Sequence, residues 1–170
     1  MELRKDYILD RWVIIAEGRG KRPSQFGEQK SAGETDCVFC AGHEKDTPPE
    51  NYRVEKNGKW KIRVIPNKYS AVDPMGDPNI QTHNQFYTFA GDHGKHEVVI
   101  ETPDHGKNFG DLGEQEIVDV VKTYASRVNA LSKEQVSKYA CIFKNQGREA
   151  GASIKHPHSQ IISMAMVLPE

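Results

Sequence analysis

Apolar residues along this chain follow a period of two in several short runs and a helical period in one long run. Trp12-Val13-Ile14-Ile15-Ala16 reads as a short strand after a charged segment, Glu2 to Ile8. Tyr52–Lys56 and Lys59–Ile65 alternate around Asn57-Gly58, a dipeptide that predicts a hairpin because both residues tolerate positive φ. The chain must then turn at Pro66-Asn67-Lys68-Tyr69. Asp73 to Asn84 is rich in Pro, Gly and Asp and is expected to be a long loop. Gln85–Phe89 predicts a short strand. His96–Glu101 predicts a longer one, ending in a turn, Thr102–Gly106, that presents His105. Ile117, Val118, Val120, Val121, Tyr124, Val128 and Leu131 recur at helical spacing behind Asp111 and Glu114, a pair with capping-box spacing. A helix is expected over 113–131. Tyr139–Lys144 and the apolar run Ile161–Val167 predict two further strands. Strands joined by hairpins, then one helix, then strands make an α+β domain: a largely antiparallel sheet with one main helix packed on it and long loops.

The chain has 170 residues, enough for a single domain (1–170) with a real core. A net charge of −1 gives no electrostatic reason to bind nucleic acid or a membrane surface. No apolar run has spanning length, and the N-terminus carries no signal-peptide pattern. Three cysteines, two of them in a Cys-x-x-Cys, speak for a reducing compartment and a metal or redox role.

Three stretches carry candidate chemistry. The first is Ser153-Ile154-Lys155-His156-Pro157-His158-Ser159-Gln160. Pro157 disfavours helix, and in an extended segment His156, His158 and Gln160 would share one face. The preceding Asn145–Ser153 stretch contains Gly147, Gly151 and small residues, which let backbone N–H groups approach an anion. The second is Cys37-Val38-Phe39-Cys40. Pro48, Pro49 and Gly42 follow closely and disfavour the helix that a redox motif opens, so a zinc site is the better reading. Its remaining ligands stay open among His43, His83, His93, His96, His105 and the His156/His158 pair. The third is the turn Glu17–Pro23, where Arg19, Lys21 and Arg22, with Arg11 before it, either contact a phosphate or form a solvated loop. Gln25 to Asp36 reads as an exposed connector.

Taken in order, Arg4 to Val13, Arg19 to Pro23, Cys37–Cys40, Pro66–Tyr69, Pro103–His105, Asn145–Ser153 and His156–Gln160 resemble galactose-1-phosphate uridylyltransferase, of the histidine-triad (HIT-like) superfamily. The resemblance spans the chain and corresponds to the N-terminal half of that enzyme. It implies a cytoplasmic transferase that moves UMP from UDP-glucose to galactose 1-phosphate through a uridylyl-histidine. His158 would be the nucleophile, and Gln160 would donate to a phosphoryl oxygen. Asn145, Gly151, Ala152 and Ser153 would hold phosphates, and Asn67 would lie near the nucleotide. Arg19 and Arg22 would reach the site of a partner subunit, implying a homodimer. Cys37, Cys40, His105 and His156 would bind a structural Zn²⁺, with His43 the competing ligand to His105. Cys141 is expected to be a small buried hydrophobe. The alternatives are a nucleotide-binding half-domain inactive alone and an adenylyltransferase like the family's enzymes resembling ADP-glucose phosphorylase, in which phosphate is the acceptor. Ser159, where many of the sugar-phosphate transferases have glycine, leans toward that branch.

Overall fold

The computed structural model describes residues 1–21, 37–134 and 136–167. The connector read over Gln25–Asp36 lies outside them, as does Arg22. Among the described residues nine strands and one α-helix follow in order: β1 (Glu2–Asp6), β2 (Arg11–Ile15), β3 (Tyr52–Lys56), β4 (Lys59–Pro66), β5 (Gln81–Asn84), β6 (Tyr87–Gly91), β7 (Gly94–Ile100), α1 (Glu114–Ser132), β8 (Tyr139–Phe143) and β9 (His158–Met164). They form two antiparallel sheets rather than the single one expected: a four-stranded sheet β2-β1-β6-β5 and a five-stranded sheet β3-β4-β7-β9-β8. Asn57 and Gly58 have φ of 54° and 72°, the positive values that the β3–β4 turn required.

The extra sheet arises where the sequence looked least regular. Glu2–Asp6 pairs with β2 and β6 although only Leu3 of the five residues is buried. Gln81–Asn84, read as loop, pairs with β6 although all four residues are exposed. The run expected to start a strand at Ile161 starts one at His158 and ends at Met164.

The two faces of the five-stranded sheet are covered differently. Antiparallel partners share a face, and residues along each strand alternate between faces. On one side Ile62, Val64, Val99 and Ile161 pack against Leu112, Val120 and Leu131, with Ile117, Tyr124 and Val128 of α1 covering them. Each such side chain contributes about 1.5–3 kcal/mol on burial. Val118 and Val121, counted in the expected stripe, point to solvent. The start of α1 is set by Gly113, whose N–H donates to Glu116 at 2.8 Å. Asp111 instead accepts from the N–H of Asn108 at 3.0 Å and closes the short turn before the helix. The helix is also clamped by charge: Arg127 makes two bonds of 2.9 and 2.7 Å to buried Glu97 of β7. Gly94 is obligatory where β7 meets β9, since a Cβ there would sit 2.0 Å from the carbonyl oxygen of Ser163. The opposite face carries Ile65, Val98 and Ile100, packed with Cys37, Phe39 and Trp60. Cys141 is half-buried on edge strand β8, less enclosed than expected.

Candidate functional site

Strand β9 assigns the two histidines to different places. His158 pairs with Ile100 and Gln160 with Val98, so both point to the face away from α1. His156 precedes the strand, on the other side of Pro157, and does not share that region. Two-residue alternation therefore holds for His158 and Gln160 and fails for His156.

His156 is fully buried beside Cys37, Cys40 and His105, whose ligand atoms all lie within 4.8 Å of one another. Cys40 Sγ is 3.4 Å from His105 Nδ1 and 3.5 Å from His156 Nδ1, and Cys37 Sγ is 3.8 Å from the latter. Tetrahedral bonds from one zinc would separate sulfur and nitrogen by about 3.5 Å, so this donor set fits such an ion. The Cys37 carbonyl accepts from the Cys40 N–H at 3.0 Å, the tight turn that brings the sulfurs together. The Nε2 of His156 lies 2.8 Å from the Thr102 carbonyl, which can only accept, so Nε2 carries the proton and Nδ1 keeps the lone pair. Burial holds this imidazole down at about 4, hence neutral at physiological pH, as ligation requires. His43 is not in the cluster; it bonds Asp46 at 2.9 Å.

A cavity of about 310 Å³ opens next to the cluster. The same Cys-x-x-Cys turn builds its wall: the cysteines face the cluster, while Val38 and Phe39 line the cavity. The Phe39 ring meets His158 edge-on at 5.3 Å. Ile65 and Val98 add apolar surface, and Asn67, Asn145, Gly151, Ala152, Ser153, His158 and Gln160 are also in its lining. The loop after β8 folds on itself. Ala152 N–H donates to Gly147 O at 3.1 Å, and Asn145 Nδ2 donates to Ala150 O at 2.8 Å. Gly147 and Gly151 stand at φ of 77° and 73°, conformations that need glycine.

His158 Nδ1 is 2.8 Å from the carbonyl oxygen of His156. That oxygen only accepts, so Nδ1 bears the proton and the ring's lone pair is at Nε2. Arg19 is not in the cavity lining; its guanidinium donates to the carbonyl of Tyr69, a wall residue, at 3.0 Å. Lys68, which the sequence reading did not single out, is the cationic side chain among the described residues that line the cavity. His96, read only as one metal-ligand candidate, lies elsewhere: buried beneath the cavity, 2.9 Å from Gln160 and 3.1 Å from Asn67. Burial lowers it to about 4, and the positive charge of Arg19 adds to the effect. Only the β7–β9 register brings it to the site, and a single sequence does not display register.

Residues 1–167 match the family described as galactose-1-phosphate uridyl transferase, N-terminal domain. An ADP-glucose phosphorylase from Arabidopsis thaliana is 36% identical over 99% of this chain and 50% of its own length. A galactose-1-phosphate uridylyltransferase from Thermotoga maritima is 30% identical over 95% of this chain and 46% of its own. The chain thus spans about half the length of these curated relatives. Among solved structures, an Arabidopsis thaliana ADP-glucose phosphorylase with bound ADP-glucose superposes with a TM-score of 0.67 at 33% identity, covering 99% of this chain and 50% of that one. A hypothetical histidine triad nucleotide-binding protein from Sulfolobus tokodaii shares the HIT-like fold at 21% identity and a TM-score of 0.50, over 79% of this chain and 73% of its own.

Proposed function

The chain belongs to the family of the galactose-1-phosphate uridylyltransferase N-terminal domain, and from that premise we propose that it transfers a nucleoside monophosphoryl group from a nucleoside diphosphate-hexose by way of His158. The observation that carries this reading is the tautomer of His158: Nδ1–H is committed to the His156 carbonyl, and the lone pair is at Nε2 of a ring that lines the cavity. In the first step the Nε2 lone pair forms a bond to the α-phosphorus. The bond from phosphorus to the bridging oxygen breaks, and its electron pair leaves with hexose 1-phosphate. In the second step an oxygen of the acceptor phosphate attacks phosphorus, and the N–P electron pair returns to the ring. Nδ1 keeps its proton throughout, and its bond to the carbonyl stabilises the positive charge that develops on the imidazole. Gln160, which can donate but not shuttle a proton, suits transfer to phosphate better than hydrolysis.

The cluster of Cys37, Cys40, His105 and His156 would hold a structural zinc, all four positions being protein donors. That ion would fix the turn bearing Phe39 and the residue whose carbonyl sets the His158 tautomer. The uridylyl donor and galactose 1-phosphate acceptor expected from sequence are one form of this reaction. The 36% identity to an ADP-glucose phosphorylase favours the other form, an adenylyl donor with phosphate as acceptor.

Intact mass after mixing the protein with UDP-glucose, and separately with ADP-glucose, tests both. The expected result is a nucleotidyl adduct mapped to His158 and lost in His158→Gly, its mass identifying the base. An adduct on another residue, or none from either donor in a folded, metal-loaded sample, would overturn the reading for this chain.

A further inference from the structure

We infer that His96 and Asn67 are positioning residues that lock the side-chain amide of Gln160 with its N–H groups toward the cavity, as donors to a phosphoryl oxygen. This deepens the function proposed above and rests on it. A glutamine amide has two nearly isosteric ends, and nothing in glutamine itself decides which one faces a ligand. Turned one way it offers two donors to a phosphate; turned the other way it offers a carbonyl oxygen that repels one.

Two backbone N–H groups settle the matter, because they can only donate. The N–H of Ala71 lies 3.0 Å from His96 Nδ1, so Nδ1 is the acceptor and Nε2 carries the proton. The N–H of Tyr69 lies 2.9 Å from Asn67 Oδ1, so the Asn67 amide is oriented with Nδ2 as its donor end. Both assigned donors meet the same atom: His96 Nε2 is 2.9 Å and Asn67 Nδ2 is 3.2 Å from Gln160 Oε1, and the 3.1 Å between the two nitrogens is a contact of donors that share this acceptor, not a bond between them. Reversing Gln160 would set its NH₂ against two N–H donors. Its Nε2 is therefore directed to the cavity side, where it has one long contact of 3.5 Å, to Asn145 Oδ1 on the loop after β8. Asn67 and Asn145 both line the cavity, so the locked amide lies between the wall that carries Asn67 and that loop. Asn67, expected from sequence to lie near the nucleotide, has both ends of its amide engaged in this network.

The arrangement gives His96 a role that a satisfied core histidine lacks, and kinetics separate the two. The variants are His96→Leu, which keeps volume and removes the donor, and His96→Gln, which retains an N–H donor at the position of Nε2. The readout is the rate of nucleotidyl-adduct formation on His158. His96→Leu is expected to lower that rate about ten-fold while changing the KM for the sugar nucleotide less than about two-fold. His96→Gln should restore most of the loss, and His96→Leu should have no further effect in a Gln160→Ala background. Equal rates in folded His96→Leu and unaltered protein, or losses that simply add, would overturn the proposal. Nitrogen-15 spectra of the unaltered protein test it whether or not an adduct forms or His96→Leu folds. The expected signature is a His96 ring protonated at Nε2, with a Gln160 NH₂ pair, identified by its loss in Gln160→Ala, that shifts on addition of ADP-glucose or UDP-glucose. A ring protonated at Nδ1, or an NH₂ pair unmoved by a sugar nucleotide that binds, would sink it. Absence of any adduct with the expected spectra would fault the transfer reading and leave the orientation standing.

Discussion

Two polar clusters each place one residue beside His158 in the chain, His156 before it and Gln160 after it, and they obey opposite rules. In the Cys37, Cys40, His105 and His156 cluster, four potential metal-donor atoms converge within 4.8 Å of one another. In the His96, Asn67 and Gln160 network, the ring and the Asn67 amide meet complementary backbone donors, and both donate to one oxygen. Converging acceptors are unfavourable in a buried space unless a cation joins them. In the second network each lone pair that faces inward already meets an N–H donor, so no cation is called for. The first cluster is thus built as a cation would require, and the second commits its bonds to the direction of a single amide.

Metal removal should break this comparison most visibly. Chelation, or Cys37→Ser, is expected to lower stability by at least about 3–5 kcal/mol, with a Tm drop of about 10 °C or more. Gln160→Ala should cost no more than about 1–2 kcal/mol. Metal analysis alongside thermal unfolding checks both arms. A chelator-treated sample with unchanged Tm and no bound metal would mean that the four ligands are stable without a cation.

Acid should act on the amide network next. His96 is buried and held at about 4 against an ordinary value of 6.5, so the unfolded chain binds a proton that the folded chain resists. Its contribution is fully present above pH 6.5 and is lost as pH falls toward 4, amounting to at most about 3 kcal/mol. Protonation would place a hydrogen on Nδ1, against the Ala71 N–H that it now accepts. Denaturant unfolding at several pH values, compared with His96→Gln, should show a shallower acid slope in the variant. Identical slopes would mean that His96 does not carry the effect.

Much of this site was legible because its motifs are local. The Cys-x-x-Cys turn, the histidine pair around Pro157 and the glycines after β8 announce themselves by spacing, and the Asn-Gly hairpin and the helix by pattern. The missed parts depend on pairing across the sheet. β5 is polar at every position and exposed on its sheet, so no hydrophobic alternation marks it. His96 stands in an unremarkable strand and reaches Gln160, 64 positions away, only through the β7–β9 register. Arg19 was placed by resemblance at a partner's site, and within this chain it braces the Tyr69 carbonyl.

Ser159 sharpens the contrast between the faces of β9. It sits between His158 and Gln160 in sequence, and alternation turns it to the opposite side, under α1. There its hydroxyl donates to Glu101, and Tyr124 lies 2.8 Å from the hydroxyl and 2.6 Å from the same carboxylate. Lys144 pairs with the other oxygen of that buried carboxylate. Burial together with the Glu101 charge raises the Tyr124 phenol, which therefore stays protonated as the donor. Ser159→Ala removes one donor to Glu101 and one acceptor for Tyr124, while Lys144 and Tyr124 still bond the carboxylate. The expected cost is about 1–2 kcal/mol of stability. The ratio of adduct formed from ADP-glucose to that from UDP-glucose should not change, because Ser159 is absent from the cavity lining. A changed ratio in the folded variant would show that the helix-side face reaches the cavity through the strand, and that base choice is set from beneath the sheet.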